Sequence, residues 1–339
     1  MDVEKIKPTR TAQWLSIGGT VVGLGMFAIV IWMFGRTMHR YDMHEVIKRL
    51  GEIPSHRLIL AGLCTAVSYF IQAGYDYVGA ASLRMGITPL RSMTAAFIGN
   101  ALTNNIGFSL LTGTSIRYRF YLAWGSSALE IGELVVLAKL AFFNGLLVFT
   151  ALTQIIDPVV LPAAISLPLS PRVLGCLLLV PIAALFLWNG MNKGRILKLG
   201  KKRIMKPEQK TLFLQIAVCC LHFVFAAFTL YFLLPQDALA SAGYGGPWTF
   251  LGVYMAIKIV VLLFPVPGSL GVWEGTAVAV LTPALPAYPL LGALVAYRLI
   301  YYVAPFAVAL LVMAGFELSS RQGLLAALIG RHRHARHPA

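Results

Sequence analysis

Eight charged side chains lie within long apolar runs of the sequence, where a membrane helix offers few partners for charge. The cations are Arg117, Arg119, Lys139, Lys258 and Arg298, and the acids are Glu130, Glu133 and Glu274. Placing one charge at the centre of a bilayer costs on the order of 2.5–3.5 kcal/mol. Eight such charges therefore indicate a binding or structural role. The excess of cations suits a phosphate group, which arginine can bind through two parallel hydrogen bonds.

The two neighbouring acids allow a second interpretation. Glu130 and Glu133 are three residues apart and therefore share one face of a helix, where they could neutralise two of the cations. Such pairing would leave a cationic remainder that suits a phosphate group. The alternative is that all eight charges are structural ion pairs that hold the helices together. The sequence alone leaves binding and structural roles open.

A polar segment at residues 100–121 interrupts the apolar background. It reads NALTNNIGFSLLTGTSIRYRFY and mixes amides, hydroxyls and glycines that an ordinary spanning helix avoids. Gly107 and Gly113 permit sharp turns and close approach of the backbone. We predict a broken, re-entrant segment that faces a polar cavity inside the protein.

A second interruption occurs in the other half of the chain, at residues 265–275. It reads PVPGSLGVWEG, in which Pro265 and Pro267 oppose a continuous helix. Paired breaks in corresponding halves indicate a transporter site between repeats, and the exposed N-termini of half-helices favour anions. The alternative is a simple Gly/Pro turn between two spans.

The composition is that of a polytopic membrane protein. Hydrophobic residues make up 58% of the 339 residues and charged residues 12%, and the mean hydropathy is +0.76. We predict an all-α fold of about eight transmembrane helices with two re-entrant or broken segments, in which the halves can form an inverted repeat. One membrane domain covers residues 1–316, with halves at about 14–156 and 174–316, and a basic cytoplasmic tail covers 317–339.

Apolar runs locate individual helices. Spans are predicted at residues 14–34, 58–79, 126–156, 174–188, 211–234, 248–264 and 290–316. Apolar residues at helical spacing between 43 and 50 predict an amphipathic helix on the membrane surface. Asp76 follows one span beside two tyrosines, which favours a hydrated interfacial carboxylate over a functional one.

The net charge of +15 argues for a membrane orientation rather than a nucleic-acid partner. The positive residues lie in short loops and tails, above all at 190–210, which the positive-inside rule assigns to the cytoplasm. No nucleic-acid motif accompanies them. We predict a multi-pass protein of the bacterial inner membrane with a cytoplasmic C-terminus and no nucleic-acid partner.

The polar segments resemble a known family. The motif at 100–121 with the following GSSALEI, and PVPGSLGVWEG, look like signatures of the flippase-like membrane domain of bacterial lysylphosphatidylglycerol synthases. The resemblance covers about residues 14–316. It implies that residues at matching positions line the path of a lipid headgroup: Asn104, Asn105, Gly107, Arg117, Tyr118, Arg119 and Glu133 in the first motif, and Pro267, Gly268, Gly271 and Glu274 in the second.

The complete set of candidate substrate-binding residues combines these positions with polar and charged neighbours. The added residues are Ser109, Thr112, Glu130, Lys258 and Arg298. Neither metal-ligand spacing nor a nucleotide-binding motif is present in the sequence, and we expect no metal, no cofactor and no catalytic residue.

The resemblance implies a lipid flippase that moves an anionic or aminoacyl-modified phospholipid, or a lipid-linked precursor, between leaflets. Two-domain relatives continue into a cytosolic synthase domain, so we expect a stand-alone member that is not itself an enzyme. An intramembrane lipid transferase and a non-transporting partner of a lipid- or glycan-modifying enzyme remain alternatives. The expected partners are membrane phospholipids, with a homo-oligomer or a separate lipid-modifying enzyme as further candidates.

Overall fold

The computed structural model describes residues 43–107, 112–159, 169–191, 196–199, 202–205, 208–263, 267–282 and 285–316. The predicted first span at 14–34 and the basic tail at 317–339 lie outside these ranges. Within them the chain is helical except for loops and one short hairpin of strands, which confirms the polytopic all-α class.

Helices make up nearly all of the regular elements in the described residues, and one pair of strands lies between two long helices. In chain order, the elements are α1 (Met43–Gly51), α2 (Ser55–Ser82), α3 (Pro89–Ile106), α4 (Thr112–Ala123), α5 (Ala128–Ile156), α6 (Pro171–Met191), β1 (Ile196–Leu199), β2 (Lys202–Met205), α7 (Gln209–Leu233), α8 (Gln236–Ser241), α9 (Pro247–Leu263), a 3₁₀ turn (Pro267–Ser269), α10 (Val272–Leu281) and α11 (Ala287–Phe316).

Five helices in the described residues are long and apolar enough to cross a membrane. They are α2, α5, α6, α7 and α11, with 28, 29, 21, 25 and 30 residues. Their predicted positions agree with the structure to within about four residues at each end. Local chemistry helps to set the boundaries: the Ser127 hydroxyl and the Glu130 carboxylate cap the first turn of α5 reciprocally.

Two pairs of shorter helices form hairpins, which we call hairpin 1 (α3 and α4) and hairpin 2 (α9 and α10). The second arms have 12 and 10 residues, or about 18 and 15 Å of helix. This is roughly half the ~30 Å thickness of a hydrocarbon core. The re-entrant interpretation of both hairpins is consistent with these lengths and stays a prediction.

The arms of hairpin 1 pack closely because glycines face each other. A Cβ added at Gly99 would lie 3.4 Å from the Gly113 carbonyl oxygen, and one at Gly113 only 2.7 Å from Thr103 Oγ1. Gly107 ends α3 with a φ of 80°, a conformation that side chains disfavour. The glycines of the sequence motif therefore allow the chain to reverse direction.

Polar and small residues join the two halves of the fold through α2 and α7. The Thr65 and Thr229 hydroxyls lie 3.2 Å apart, and Ser68 Oγ lies 2.9 Å from His222 Nδ1. Small and polar side chains are the usual contacts between membrane helices, since lipid tails compete equally for apolar surface. These contacts join α2 of the first half of the chain to α7 of the second half.

Two peripheral elements complete the fold. The amphipathic helix predicted near residue 43 is α1; it buries Val46 and packs its Arg49 backbone against Gly292 of α11. Strands β1 and β2 pair antiparallel within the basic loop at 190–210, where no strand was predicted. Two residues separate these strands in sequence, the length typical of a tight hairpin.

Candidate functional site

The two breaks in the sequence meet in space. A Cβ added at Gly268, whose φ is 59°, would lie 2.4 Å from the Asn105 carbonyl oxygen. The Asn105 side chain donates from Nδ2 to the Tyr302 carbonyl oxygen of α11 at 3.0 Å. Only glycine fits this close to the Asn105 carbonyl oxygen, so the Gly268 backbone of hairpin 2 packs directly against the end of α3.

A cavity of about 290 Å³ lies between the hairpin tips. Both hairpins, α2, α5 and α11 supply its walls. The polar and glycine residues that line it are Gln72, Asn100, Thr103, Asn104, Gly107, Arg117, Lys139, Lys258, Gly268 and Ser269. The cavity therefore gathers polar groups from positions nearly 200 residues apart.

Arg117 is fixed in the cavity wall by a buried carboxylate. Its Nε donates to Asp76 Oδ2 at 2.7 Å, and its Nη2 lies 2.5 Å from the same oxygen. The guanidinium also donates to the Gly113 carbonyl oxygen at 3.1 Å and to Asn100 Oδ1 at 3.2 Å. Asp76 is 0% exposed, so its interpretation as a hydrated interfacial carboxylate is wrong.

A second buried ion pair fixes the tip of hairpin 2. Arg298 Nε donates to Glu274 Oε1 at 2.9 Å, and Nη1 donates to the Gly268 carbonyl oxygen at 2.8 Å. The other Glu274 oxygen accepts a hydrogen bond from the Gly271 backbone N–H at 2.9 Å. The Arg298 guanidinium also lies over the Tyr302 ring, 4.5 Å from its centroid. These contacts give Arg298 and Glu274 a positioning role beside the cavity.

Two lysines complete the charge of the cavity. Lys139 comes from α5 and Lys258 from α9, where the Lys258 ammonium lies 5.8 Å from the centroid of the Trp273 ring. Among the described residues, every charged side chain that lines the cavity is a cation: Arg117, Lys139 and Lys258. A buried cationic hollow attracts anions more strongly than the same charges would in water.

Two side-chain amides of the hollow each have one polar atom without a hydrogen-bond partner among the described residues. Gln72 and Asn100 are 6% and 8% exposed, and neither Gln72 Oε1 nor Asn100 Nδ2 has a hydrogen-bond partner there. Buried polar atoms are usually hydrogen-bonded, so these two atoms keep unused hydrogen-bonding capacity in the cavity wall. The Asn100 amide adds a neutral donor beside the three cations.

The remaining candidate residues lie at several distances from the cavity. Thr112 donates from its hydroxyl to the Gly107 carbonyl oxygen at 3.0 Å, beside the tip. Tyr118 donates to the Ala128 carbonyl oxygen at 3.0 Å, and Glu130 bonds Ser127 as a helix cap. Arg119 is exposed and Glu133 half-buried, and the cavity lining contains neither.

Pro267 and Ser109 are the last two sequence candidates. Pro267 begins the 3₁₀ turn at the tip of hairpin 2. Ser109 lies outside the described residues.

Several residues of the cavity were not among the sequence candidates. Gln72 and Asp76 are four residues apart on α2 and so share a face, a polar pair inside an apolar run that could have been recognised. Asn100 and Lys139 were noticed as polar residues in apolar surroundings but not assigned to the site. For Thr103 and Tyr302 no sequence signal stands out, because their types are common in membrane helices.

The polar groups of the hollow are of the types that bind anions. The described residues contain no cluster of three or more His, Cys, Asp or Glu side chains that could hold a metal ion. Cations, amide donors and hydroxyls around a restricted volume are suited to the oxygens of a phosphate group.

Comparisons with known proteins place the whole arrangement in a family. Uncharacterized protein slr0712 of Synechocystis sp. is 32% identical over 304 residues, which cover 89% of this chain and 92% of the relative. Inner membrane protein YbhN of Escherichia coli is 24% identical, covering 87% of this chain and 91% of the relative. Phosphatidylglycerol lysyltransferase of Staphylococcus xylosus is 24% identical over 88% of this chain, which spans 34% of that protein.

The family model described as the lysylphosphatidylglycerol synthase TM region matches residues 18–309. That match contains both hairpins, the cavity between them and all five long helices except the last turns of α11. The chain therefore belongs to the family of the lysylphosphatidylglycerol synthase transmembrane region.

Proposed function

We propose that this protein moves lipids with an anionic headgroup between the leaflets of the bacterial inner membrane. The phosphate binds in the cavity between the hairpin tips while the acyl chains stay in the bilayer. The observation that carries this proposal is the cationic lining of the cavity by Arg117, Lys139 and Lys258. Transport proceeds without chemical change of the lipid, by movement of the two halves around the cavity.

The roles of the three cations follow from their contacts. Arg117 is already engaged by Asp76 and by two further oxygens. Lys139 and Lys258 carry compact ammonium groups on flexible stems, which can follow a moving phosphate more easily than a clamped guanidinium. We assign the two lysines to the headgroup and Arg117 to the shape of the wall.

The charge of the cavity also bears on which lipid it accepts. The names of relatives in the family refer to phosphatidylglycerol and its lysyl transfer. Phosphatidylglycerol carries one negative charge, whereas a lysyl group adds ammonium groups that Lys139 and Lys258 would repel. We therefore propose that the unmodified anionic lipid is preferred over the aminoacylated one.

Reconstitution into liposomes tests both parts of the proposal. Phosphatidylglycerol with a fluorescent acyl chain is placed in both leaflets, and dithionite quenching of the outer leaflet then reports exchange. We expect complete quenching with the protein and partial quenching without it. Lys139→Gln and Lys258→Gln should each slow exchange about tenfold or more, since hydrogen bonds to charged groups contribute about 1.5–3 kcal/mol.

A matched control separates the cavity from general surface charge. Lys48→Gln removes a lysine from α1 whose side chain is 59% exposed, and exchange should stay unchanged. Equal exchange of lysyl-modified and unmodified lipid would contradict the proposed preference. Equal rates in Lys139→Gln, Lys258→Gln and the unaltered protein would contradict binding in this cavity.

A further inference from the structure

A large apolar groove lies next to the polar cavity. It has a volume of about 860 Å³ and runs between α2, α3 and α11, with Phe70, Phe97, Leu299 and Val308 among its walls. No charged side chain of the described residues lines it. Phe70 at its edge is 69% exposed. In a membrane-spanning bundle, such an open apolar edge faces hydrocarbon.

The same three helices separate the groove from the cavity. On α2, Ala73 faces the groove and Gln72 the cavity; on α3, Phe97 faces the groove and Asn100 the cavity. On α11, Ile300 faces the groove and Tyr302 the cavity. Because one layer of helices borders both spaces, they are back to back rather than at distant sites.

One hydrogen-bonded pair lies at the boundary. Tyr69 lines the groove, and its hydroxyl accepts a hydrogen bond from Nδ2 of Asn104, which lines the cavity, at 2.9 Å. The same hydroxyl donates to the Tyr301 carbonyl oxygen at 3.1 Å. The bond between Tyr69 and Asn104 joins two side chains, so it can break without any change in backbone hydrogen bonding between the helices.

We propose that the groove holds an acyl chain of the lipid whose headgroup binds in the cavity, and that Tyr69 and Asn104 form the door between them. This inference rests on the proposed function and adds the route by which the substrate enters. A space without charge, open to hydrocarbon, and a cationic hollow behind it match the two ends of an anionic glycerophospholipid. A polar peptide or a soluble anion would leave the groove without complementary contacts.

Photolabelling in nanodiscs tests where the chain lies. The probe is phosphatidylglycerol with a diazirine in one acyl chain, and mass spectrometry of the purified protein locates the attached lipid. We expect attachment on groove residues of α2, α3 and α11. Ala66→Trp and Ala304→Trp, at exposed positions that line the groove, should lower that attachment at least fivefold and slow lipid exchange.

Ala184→Trp supplies the matched control, because Ala184 is an exposed alanine on α6, away from the groove. It should change neither attachment nor exchange. Attachment spread evenly over the lipid-facing helices, or unchanged in the groove variants, would overturn the inference. Attachment confined to residues 14–34 and absent from the groove would overturn it as well, since the acyl chain would then lie outside the groove.

A chainless headgroup separates this inference from the function on which it rests. Glycerophosphoglycerol, measured by calorimetry, should bind the unaltered protein and the groove variants equally and bind Lys258→Gln at least tenfold more weakly. Equal binding with reduced photolabelling supports the groove as a chain site. If glycerophosphoglycerol does not bind the unaltered protein, the proposed function fails and the inference fails with it.

The door itself is tested by Tyr69→Phe, which keeps the ring and removes the hydroxyl. Loss of the hydrogen bonds to Asn104 and to the Tyr301 carbonyl oxygen should speed lipid exchange by about fivefold or more, since at least one hydrogen bond no longer opposes opening. Exchange that is unchanged or slower would overturn the door. Phe at this position preserves the aromatic contact with Phe97, whose ring centroid lies 5.7 Å away, so the groove wall is retained.

Discussion

At the scale of single residues, the arginines and the lysines of this site differ in their contacts and therefore in their proposed roles. Arg117 and Arg298 are each held by a buried carboxylate and by backbone oxygens of a hairpin. Burying a charge is costly, and the loss of one member of such a pair leaves the other uncompensated. The two arginines therefore fix the walls, and the lysines are the cavity cations that carry flexible stems.

Asp76→Asn should destabilise the protein strongly, because the Arg117 guanidinium would remain buried without its counter-ion. We expect the free energy of unfolding to fall by about 3–5 kcal/mol. The measurement is the thermal midpoint in detergent, followed by size-exclusion chromatography. Adding Arg117→Met to the same chain should restore part of the loss, since the uncompensated cation is then gone.

An exposed ion pair on α1 provides the comparison. Arg49 Nη1 lies 2.9 Å from Glu52 Oε2, with side chains 38% and 49% exposed. Glu52→Gln should change the stability by less than about 1 kcal/mol. Similar losses in Asp76→Asn and Glu52→Gln would show that the Asp76–Arg117 pair is not buried as described.

At the scale of elements, the close packing of the hairpins depends on glycines at the contact points. Gly99 and Gly113 let the arms of hairpin 1 approach, and Gly268 lets hairpin 2 reach the end of α3. The sequence predicted both breaks because Gly and Pro oppose continuous helix in apolar runs. It did not predict the strands β1 and β2, because lysines and arginines at 190–210 favoured a simple orientation loop.

Gly268→Ala should displace the tips of the hairpins. The new Cβ would lie 2.4 Å from the Asn105 carbonyl oxygen, at a φ of 59° that alanine disfavours. We expect a loss of about 1–3 kcal/mol in stability, read as the thermal midpoint, and slower lipid exchange in liposomes.

Gly275→Ala, in the same hairpin, is the matched control. A Cβ at Gly275 meets nothing within 4 Å, and alanine favours a helix by up to about 1 kcal/mol relative to glycine. It should leave stability unchanged or raised and exchange unaffected. Equal behaviour of the two variants would mean that the tips do not pack as closely as described.

At the scale of the whole molecule, the site is formed by segments that are far apart in the sequence. Asn105 bonds Tyr302, and Lys139 shares a cavity with Lys258. Local patterns predicted that each segment was unusual, since apolar periodicity and inserted charge are visible in short windows. They could not predict that Arg117 is partnered by Asp76, because pairing across helices depends on packing that no single window contains.

Thiol accessibility tests whether the cavity opens to both sides of the membrane. The natural cysteines, Cys64, Cys176, Cys219 and Cys220, are replaced by alanine, and Thr103→Cys is introduced in the cavity. A membrane-impermeant maleimide should label it in both right-side-out and inverted vesicles, since alternating access exposes one site to each side in turn.

Ala184→Cys, on the exposed face of α6, should be labelled from neither side, because the reagent cannot enter hydrocarbon. Labelling of Thr103→Cys from one side alone would contradict alternating access. That result would favour the alternative function, a membrane partner that binds a lipid without moving it across the bilayer.

Residues 298–303 of α11 form a single π turn, which has one residue more than an α turn. An α-helix advances about 100° per residue, so an added residue changes the angular phase of everything after it by about that amount. Ala304, Val308 and Val312 line the groove on the far side of this phase change, while Arg298 and Tyr302 face the hairpin tips within it. The π turn thus lets one helix present a polar sector to the headgroup and an apolar sector to the acyl chain. On an uninterrupted α-helix, the residues after 303 would point about 100° away from the directions that they have here.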